Sequence, residues 1–209
     1  MNAVKIAIAV AALALVASPI FAQERSVDLT GYVSWMDPNG DNTIVDNGED
    51  VDFNFDSDQG FGIGLNVFWS NRISTEFTAS KFSPEAAFEG PVDFGNSSLD
   101  MIPITATLQF HFAPDARIDP YIGAGVAYVL FDEFDSDNLD ELDLGAIDVD
   151  DDYGFVLNAG LSFDITPNFA ILGDIKYVPV ESEISASGLA PSTLEINPLI
   201  ISAGASFQF

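Results

Sequence analysis

The feature that most constrains the fold of this chain is an alternation of apolar residues with small or polar ones. In the stretch 153–164, for example, Phe155, Leu157 and Leu161 are separated from one another by residues such as Asn158. Successive side chains of a β-strand point to opposite faces, so this pattern predicts a strand with one apolar and one polar face. The pattern occurs in eight segments, at approximately residues 26–36, 60–69, 72–82, 100–112, 118–131, 153–164, 168–180 and 194–209.

Alternation of this kind fits two folds, because the apolar faces can meet inside a soluble sandwich or point outward to lipid from a barrel. The lengths of the connections distinguish the two. Long and short connections alternate along the chain, in the order 37–59, 70–71, 83–99, 113–117, 132–152, 165–167 and 181–193. Outer-membrane barrels have long extracellular loops and short periplasmic turns, so we predict an all-β, eight-stranded antiparallel transmembrane β-barrel with long acidic extracellular loops.

The acidic residues are concentrated in the long connections. The chain has a net charge of -27, and neither 37–59 nor 132–152 contains a Lys or Arg, whereas Arg72 and Arg117 lie beside short turns. So much negative charge argues against a nucleic-acid partner. We expect the loops to bind divalent cations loosely at a lipopolysaccharide surface, and we predict neither a defined metal site nor a cofactor.

The start of the chain has the layout of a secretory signal peptide. Lys5 precedes an uncharged apolar run at 6–16, and a proline and Ala22 follow that run. The run is too short to span a bilayer as a helix. We therefore expect residues 1–22 to be a signal peptide and residues 23–209 to form one barrel domain in the outer membrane of a Gram-negative cell.

Aromatic residues are an independent indication of a barrel that crosses a membrane. On the apolar faces they occur near the strand ends, at Trp35, Trp69, Phe112, Phe163 and Phe209. The predicted strand directions place Trp35 near the extracellular rim and the other four near the periplasmic rim. Two aromatic girdles at these heights are typical of transmembrane barrels.

Several runs of residues resemble a known family. The most specific are Asp-Pro-Tyr-Ile-Gly-Ala-Gly at 119–125 and Gly-Asp-Ile-Lys-Tyr-Val-Pro-Val at 173–180. Together with 60–68, 102–112 and 197–209, these runs resemble the OmpW family of Gram-negative outer-membrane proteins. They occur in the same order as in that family.

The resemblance implies an eight-stranded barrel with a narrow hydrophobic interior, which binds or passes small hydrophobic molecules. The family usually has two consecutive prolines at the start of its fourth strand, whereas this chain has Pro103 alone. A final Phe is shared by most outer-membrane barrels, and we expect Phe209 to present the chain to the barrel-assembly machinery.

The residues of opposite parity are predicted to line the lumen, which in an eight-stranded barrel is barely wide enough for its own side chains. In the extracellular half these residues are apolar, at Met36, Val129, Phe131, Val156 and Val178. Toward the periplasm they form a polar plug or ion-pair network, at Glu76, Gln109, His111, Asp174 and Lys176. Buried charges must be paired, so we expect Glu76 to reach Lys176.

This lumen fits a hydrophobic ligand that enters from outside and leaves sideways through the wall, and the alternative is that the side chains merely fill the barrel. We predict a barrel that binds or passes small hydrophobic molecules through a narrow apolar lumen. The alternative function is that of a structural or adhesive surface barrel, acting through its acidic extracellular loops. Catalysis is not expected, because His111 is the only histidine and has no evident serine and acid partners at its height.

Overall fold

A computed structural model describes residues 27–39, 42–46, 49–89, 97–136, 148–149, 151–185 and 192–209. The predicted signal peptide, residues 1–22, lies outside these ranges. Among the described residues, no helix is long and apolar enough to cross a bilayer.

Thirteen strands occur within the described residues. Eight of them correspond to the predicted segments: β1 (Val27–Asn39), β4 (Asp58–Ser70), β5 (Ile73–Lys81), β7 (Ser97–His111), β8 (Ile118–Ser136), β10 (Asp152–Thr166), β11 (Phe169–Tyr177) and β13 (Ser192–Gln208). The other five are shorter: β2 (Asn42–Asp46), β3 (Glu49–Phe55), β6 (Glu85–Glu89), β9 (Asp148–Val149) and β12 (Val180–Ser185).

The eight corresponding strands close into a barrel. Neighbours pair antiparallel in the order β1, β4, β5, β7, β8, β10, β11 and β13. The ring closes where β13 pairs with β1, from Asp28 opposite Gln208 to Asn39 opposite Asn197. Closure satisfies the backbone hydrogen bonds of the first and last strands, which hydrocarbon could not do. The predicted eight-stranded antiparallel barrel is confirmed.

Side chains alternate between the two faces of the barrel wall. On β1, Tyr32 and Ser34 point inward and are buried, whereas Leu29 and Val33 point outward and are exposed. Each of the other seven barrel strands also exposes at least one large apolar side chain on its outward face. Val67 departs from the pattern, since it occupies an outward position on β4 and is buried. An apolar surface of this extent suits contact with lipid rather than water.

Aromatic side chains lie on the outer surface near both ends of the barrel. Trp69, Phe112, Phe163 and Phe209 are exposed at the end with the short turns, and Trp35 is exposed toward the opposite rim. Further exposed aromatic residues near that opposite rim are Phe61, Tyr128, Phe155 and Tyr177. The structure therefore places aromatic side chains at the heights expected for the two girdles.

The long connections contain strands that the sequence pattern did not indicate, because their acidic composition was typical of loops. β2 pairs with β3, and β3 pairs with β6, so the sheet continues beyond the barrel rim. β12 follows β11 after Val178 and Pro179, and pairs with β13 and β9. The predicted single strand at 168–180 is therefore wrong at its end. Pro179 has no backbone N–H and cannot continue the ladder.

The outward faces predict where the barrel tolerates charge. Ile122 is exposed near the middle of the outward stretch of β8 between Ile118, which begins the strand beside a short turn, and Tyr128 near the opposite rim. We expect Ile122→Arg to lower the free energy of unfolding by about 2–4 kcal/mol and Ile118→Arg by about 0–1 kcal/mol, because the cost of charge peaks at the bilayer midplane. Urea unfolding in lipid vesicles measures both. Equal losses would contradict this placement of the bilayer.

Candidate functional site in the barrel lumen

The half of the lumen nearest the long connections is filled by apolar side chains, which we call the apolar cluster. Its buried members are Met36, Phe82, Met101, Ala127, Val129, Val156, Val178, Val180, Ile196 and Ile200, none more than 3% exposed. Phe131 is partly buried and packs against them. The structure thus brings the five predicted apolar lumen residues together, and they pack against one another rather than around an open cavity.

Two glycines allow this close packing. A Cβ atom at Gly60 would overlap the Lys81 carbonyl oxygen and lie 2.5 Å from the ring of Phe82, so that ring rests on the backbone of β4. Gly154 of β10 approaches the carbonyl oxygen of Pro179 in the same way. The space that Gly60 leaves is therefore occupied by Phe82, which ends the predicted segment 72–82 with the inward parity of Glu76 but was not predicted as a lumen residue.

Beneath the apolar cluster lie three buried charges, Glu76, Asp174 and Lys176, which we call the ion layer. Lys176 Nζ lies 3.0 Å from Glu76 Oε2 and 2.5 Å from Asp174 Oδ1, and no side chain of the three is more than 5% exposed. Two carboxylates and one ammonium leave the layer with a formal charge of about −1. Each buried charge depends on its partners, because an isolated one costs several kcal/mol.

Neutral side chains hold the ion layer in place. The Tyr32 hydroxyl donates to Glu76 at 2.6 Å, and the Gln109 amide donates to the same carboxylate at 3.1 Å. The Tyr121 hydroxyl donates to Asp174 at 3.0 Å. These three donors belong to β1, β7 and β8, so the layer is tied to strands on different sides of the lumen.

His111 lies between a serine and an aspartate at the end of the lumen with the short turns. Its Nε2 is 3.0 Å from Ser74 Oγ, and its Nδ1 is 2.7 Å from Asp119 Oδ2. The sequence-based prediction that His111 has no serine and acid partners at its height is wrong. Alternation places all three side chains inward, but their common height depends on the register of β5, β7 and β8, which alternation does not specify.

The hydrogen bonds between Ser74 and His111 and between His111 and Asp119 have the same arrangement as those of the serine, histidine and aspartate in serine hydrolases. Ser74 is completely buried, and its oxygen also lies 3.3 Å from Gln109 Oε1. Asp119 accepts a further hydrogen bond from the backbone N–H of Ala113, at 3.0 Å. The arrangement therefore links β5, β7, β8 and a short turn, and the burial of the serine favours a structural role.

Narrow clefts in the described part of the lumen include an upper one with a cavity volume of about 10 Å³ and a lower one of about 20 Å³, each with room for about one water molecule. Residues bordering the upper cleft include Thr78, Ser80, Pro103, Thr105, Lys176 and Ile200. Those bordering the lower cleft include Asp28, Asn66, Glu76, His111 and Ser162. Ile200 belongs to both the apolar cluster and the upper cleft, so these two regions adjoin directly above the ion layer.

The wall is interrupted beside the upper cleft. The ladder between β5 and β7 ends at Ala79, and pairing resumes with a bridge between Phe82 and Met101 that has both backbone hydrogen bonds. Hydrogen-bonded pairs recur every second residue in an antiparallel ladder, so Ser80 and Pro103 occupy the next such position. Pro103 has no N–H to donate there, so the ladder lacks a hydrogen bond between the two strands at this position, which we call the gap.

Comparison with known proteins identifies the family of this barrel. Residues 26–209 match the model of the OmpW family. The chain belongs to the OmpW family. The match covers the whole barrel from β1 to β13, and the resemblance found in the sequence is confirmed.

Relatives and solved structures agree with this membership. The chain is 28% identical over 181 residues to outer membrane protein AlkL of Ectopseudomonas oleovorans, covering 82% of this chain and 70% of AlkL. Its fold is similar to the crystal structure of OprG from Pseudomonas aeruginosa, with TM-score 0.78, 18% identity, and coverage of 88% and 96% of the two chains. The solid-state NMR structure of AlkL in lipid bilayers gives TM-score 0.64, 24% identity, and coverage of 90% and 92%. This OmpW-family chain is thus an outer-membrane β-barrel, as predicted.

Membership of the OmpW family places the outward apolar faces in contact with membrane lipid. Binding to lipopolysaccharide, and recognition of Phe209 by the barrel-assembly machinery, stay predictions. Much of the most acidic connection, at 137–147, lies outside the described residues, as does any loose binding of divalent cations there.

The ion layer can be tested by removing its cation. Lys176→Met keeps most of the side-chain length, and we expect it to lower the free energy of unfolding by about 3–5 kcal/mol, because it leaves buried carboxylates uncompensated. Lys81 is a matched control, since it lies 2.6 Å from Asp100 but is 59% exposed. Lys81→Met should cost less than about 1 kcal/mol. Urea unfolding in vesicles measures the two losses, and comparably small values would refute the burial of the ion layer.

Proposed function

We propose that this OmpW-family barrel binds small hydrophobic molecules in the apolar cluster and passes them sideways into the membrane. The observation that carries the proposal is the order of layers in the lumen, with the apolar cluster nearest the long connections and the ion layer beneath it. An apolar molecule gains free energy when it leaves water for such a cluster. The molecule would gain no further free energy by moving deeper, toward the ion layer.

The ion layer closes the axial route to an apolar ligand. To move past Lys176, the ligand would have to separate that ammonium from Glu76 and Asp174. Separating buried charges without water to replace their partners costs several kcal/mol. The ion layer is therefore a floor on which an apolar ligand stops.

The side chains of the apolar cluster can move to admit a ligand. Met36 and Met101 are unbranched and flexible, and methionines of this kind repack around varied apolar partners. The cluster is closed in this structure, so a ligand binds by displacing these side chains. Binding then exchanges one set of apolar contacts for another.

The gap at Pro103 supports a sideways exit. It lies beside the upper cleft, and therefore at the height where a ligand resting on the ion layer would be held. A ladder that already lacks a hydrogen bond costs less to separate than a complete one. A ligand that leaves between β5 and β7 enters the lipid without crossing the charged layer.

A charge inside the apolar cluster tests the binding site. We expect Val129→Asp or Val156→Asp to reduce the uptake of hexane to that of cells lacking the barrel, because a buried carboxylate opposes an apolar ligand. Val129→Ala keeps the position apolar and should retain uptake. Heat-dependent migration in gel electrophoresis verifies that each variant has assembled. Wild-type uptake by assembled Val129→Asp would refute the proposal.

A restored backbone donor tests the exit. Pro103→Ala supplies the N–H that is missing opposite Ser80, and we expect it to slow hexane uptake about two- to tenfold, the effect of one additional hydrogen bond. Pro120→Ala is the matched control, since it replaces another barrel proline near a short turn, and it should leave uptake unchanged. Equal rates for Pro103→Ala and the wild type would mean that ligands leave elsewhere.

A further inference from the structure

The upper cleft is lined by hydroxyl groups although it adjoins the apolar cluster. Thr78 and Ser80 border it from β5, Thr105 from β7 and Ser202 from β13. Hydroxyl groups both donate and accept hydrogen bonds, and a hydrocarbon would use none of them. A ligand whose apolar part occupies the cluster would place its other end among these hydroxyls.

Ser80 has the hydroxyl most available to a ligand. The hydroxyls of Thr78 and Thr105 bond to each other at 2.6 Å, and that of Ser202 bonds to a serine of β1 at 2.7 Å. Within the described part of the chain, the Ser80 hydroxyl has no hydrogen-bond partner. It also borders the cleft opposite Pro103, beside the gap in the wall.

Lys176 borders the same cleft and determines which charge a ligand can carry. Of the three N–H donors of its ammonium, two are directed at Glu76 and Asp174. A carboxylate on the ligand would be added to a layer that already has excess negative charge, and it would also lose its hydration. An ammonium on the ligand would be attracted by that excess charge, but it would likewise lose its hydration and would lie beside the ammonium of Lys176, the charged residue that borders the cleft. A neutral oxygen avoids both penalties and can accept a hydrogen bond.

We infer that the upper cleft recognises the polar head of the ligand, and that the barrel prefers neutral amphiphiles with a hydroxyl or carbonyl oxygen over hydrocarbons and carboxylates. This inference rests on the proposed function, because it needs the apolar part of the ligand in the apolar cluster. Ser80 is its specificity-determining residue, and it bonds the head while Met36 and Met101 contact the apolar part.

The test compares hexane, 1-hexanol and hexanoate as ligands of the full barrel in lipid nanodiscs, with ¹³C-methyl signals of Met36 and Met101 as the readout. We expect Ser80→Ala to weaken apparent 1-hexanol binding about two- to tenfold and to leave hexane binding unchanged, because one neutral hydrogen bond is lost. A given ligand partitions into the lipid to the same extent with the wild type and with Ser80→Ala, so this partition does not affect the comparison of the two proteins. Hexanoate at pH 8 should not shift these signals at concentrations where 1-hexanol saturates them.

Ser162→Ala is the matched control. The Ser162 hydroxyl is buried and, like that of half-buried Ser80, has no partner among the described residues, but it borders the lower cleft. Its loss should therefore change the affinity for neither 1-hexanol nor hexane. The inference is overturned if Ser80→Ala leaves 1-hexanol binding unchanged, if it weakens hexane equally, or if hexanoate saturates the signals. The proposed function survives those outcomes. It fails by itself if neither hexane nor 1-hexanol shifts the wild-type signals.

Discussion

The pairing of the last strand with the first is the interaction on which the rest of this structure depends. In hydrocarbon a free strand edge has nothing to bond to, so the ladder between β1 and β13 must close the ring. Once the ring is closed, each strand has one face toward lipid and one toward a lumen only as wide as its own side chains. The outward face then has to be apolar. The inward face is released from that requirement and can hold side chains of either kind, provided that polar ones are paired.

The lumen uses this freedom in two different ways along its length. Near the long connections it holds an apolar cluster around Met101 and Val129, and beneath that it holds Lys176 between two carboxylates. The boundary between the two regions has a physical meaning, because an apolar molecule is stable on one side and excluded from the other. The same boundary is where Pro103 interrupts the wall. In a barrel too narrow for an axial pore, the proposed binding region, floor and lateral exit thus lie at one height.

The parity of every barrel strand could be predicted from the sequence, because one residue of slip would have moved a whole apolar face into the lumen. Parity was enough to place Val156 and Lys176 inward. The heights of the side chains along the lumen were harder to predict, since they depend on the register between strands that are distant in sequence. For this reason the contact of His111 with Ser74 and Asp119 was missed. Phe82 has the inward parity of Glu76 within the predicted segment 72–82 but was not predicted as a lumen residue. The strands in the acidic connections were missed because composition outweighed their weak alternation.

The central claim is that a hydrophobic ligand occupies the apolar cluster above the ion layer. The most direct measurement is anomalous diffraction from crystals of the barrel soaked in 1-bromohexane, in which the bromine marks the position of the ligand. The account predicts a bromine peak within contact distance of Met36, Met101 or Val129. Bromine only on the lipid-facing surface, or in the lower cleft beside His111, would contradict it.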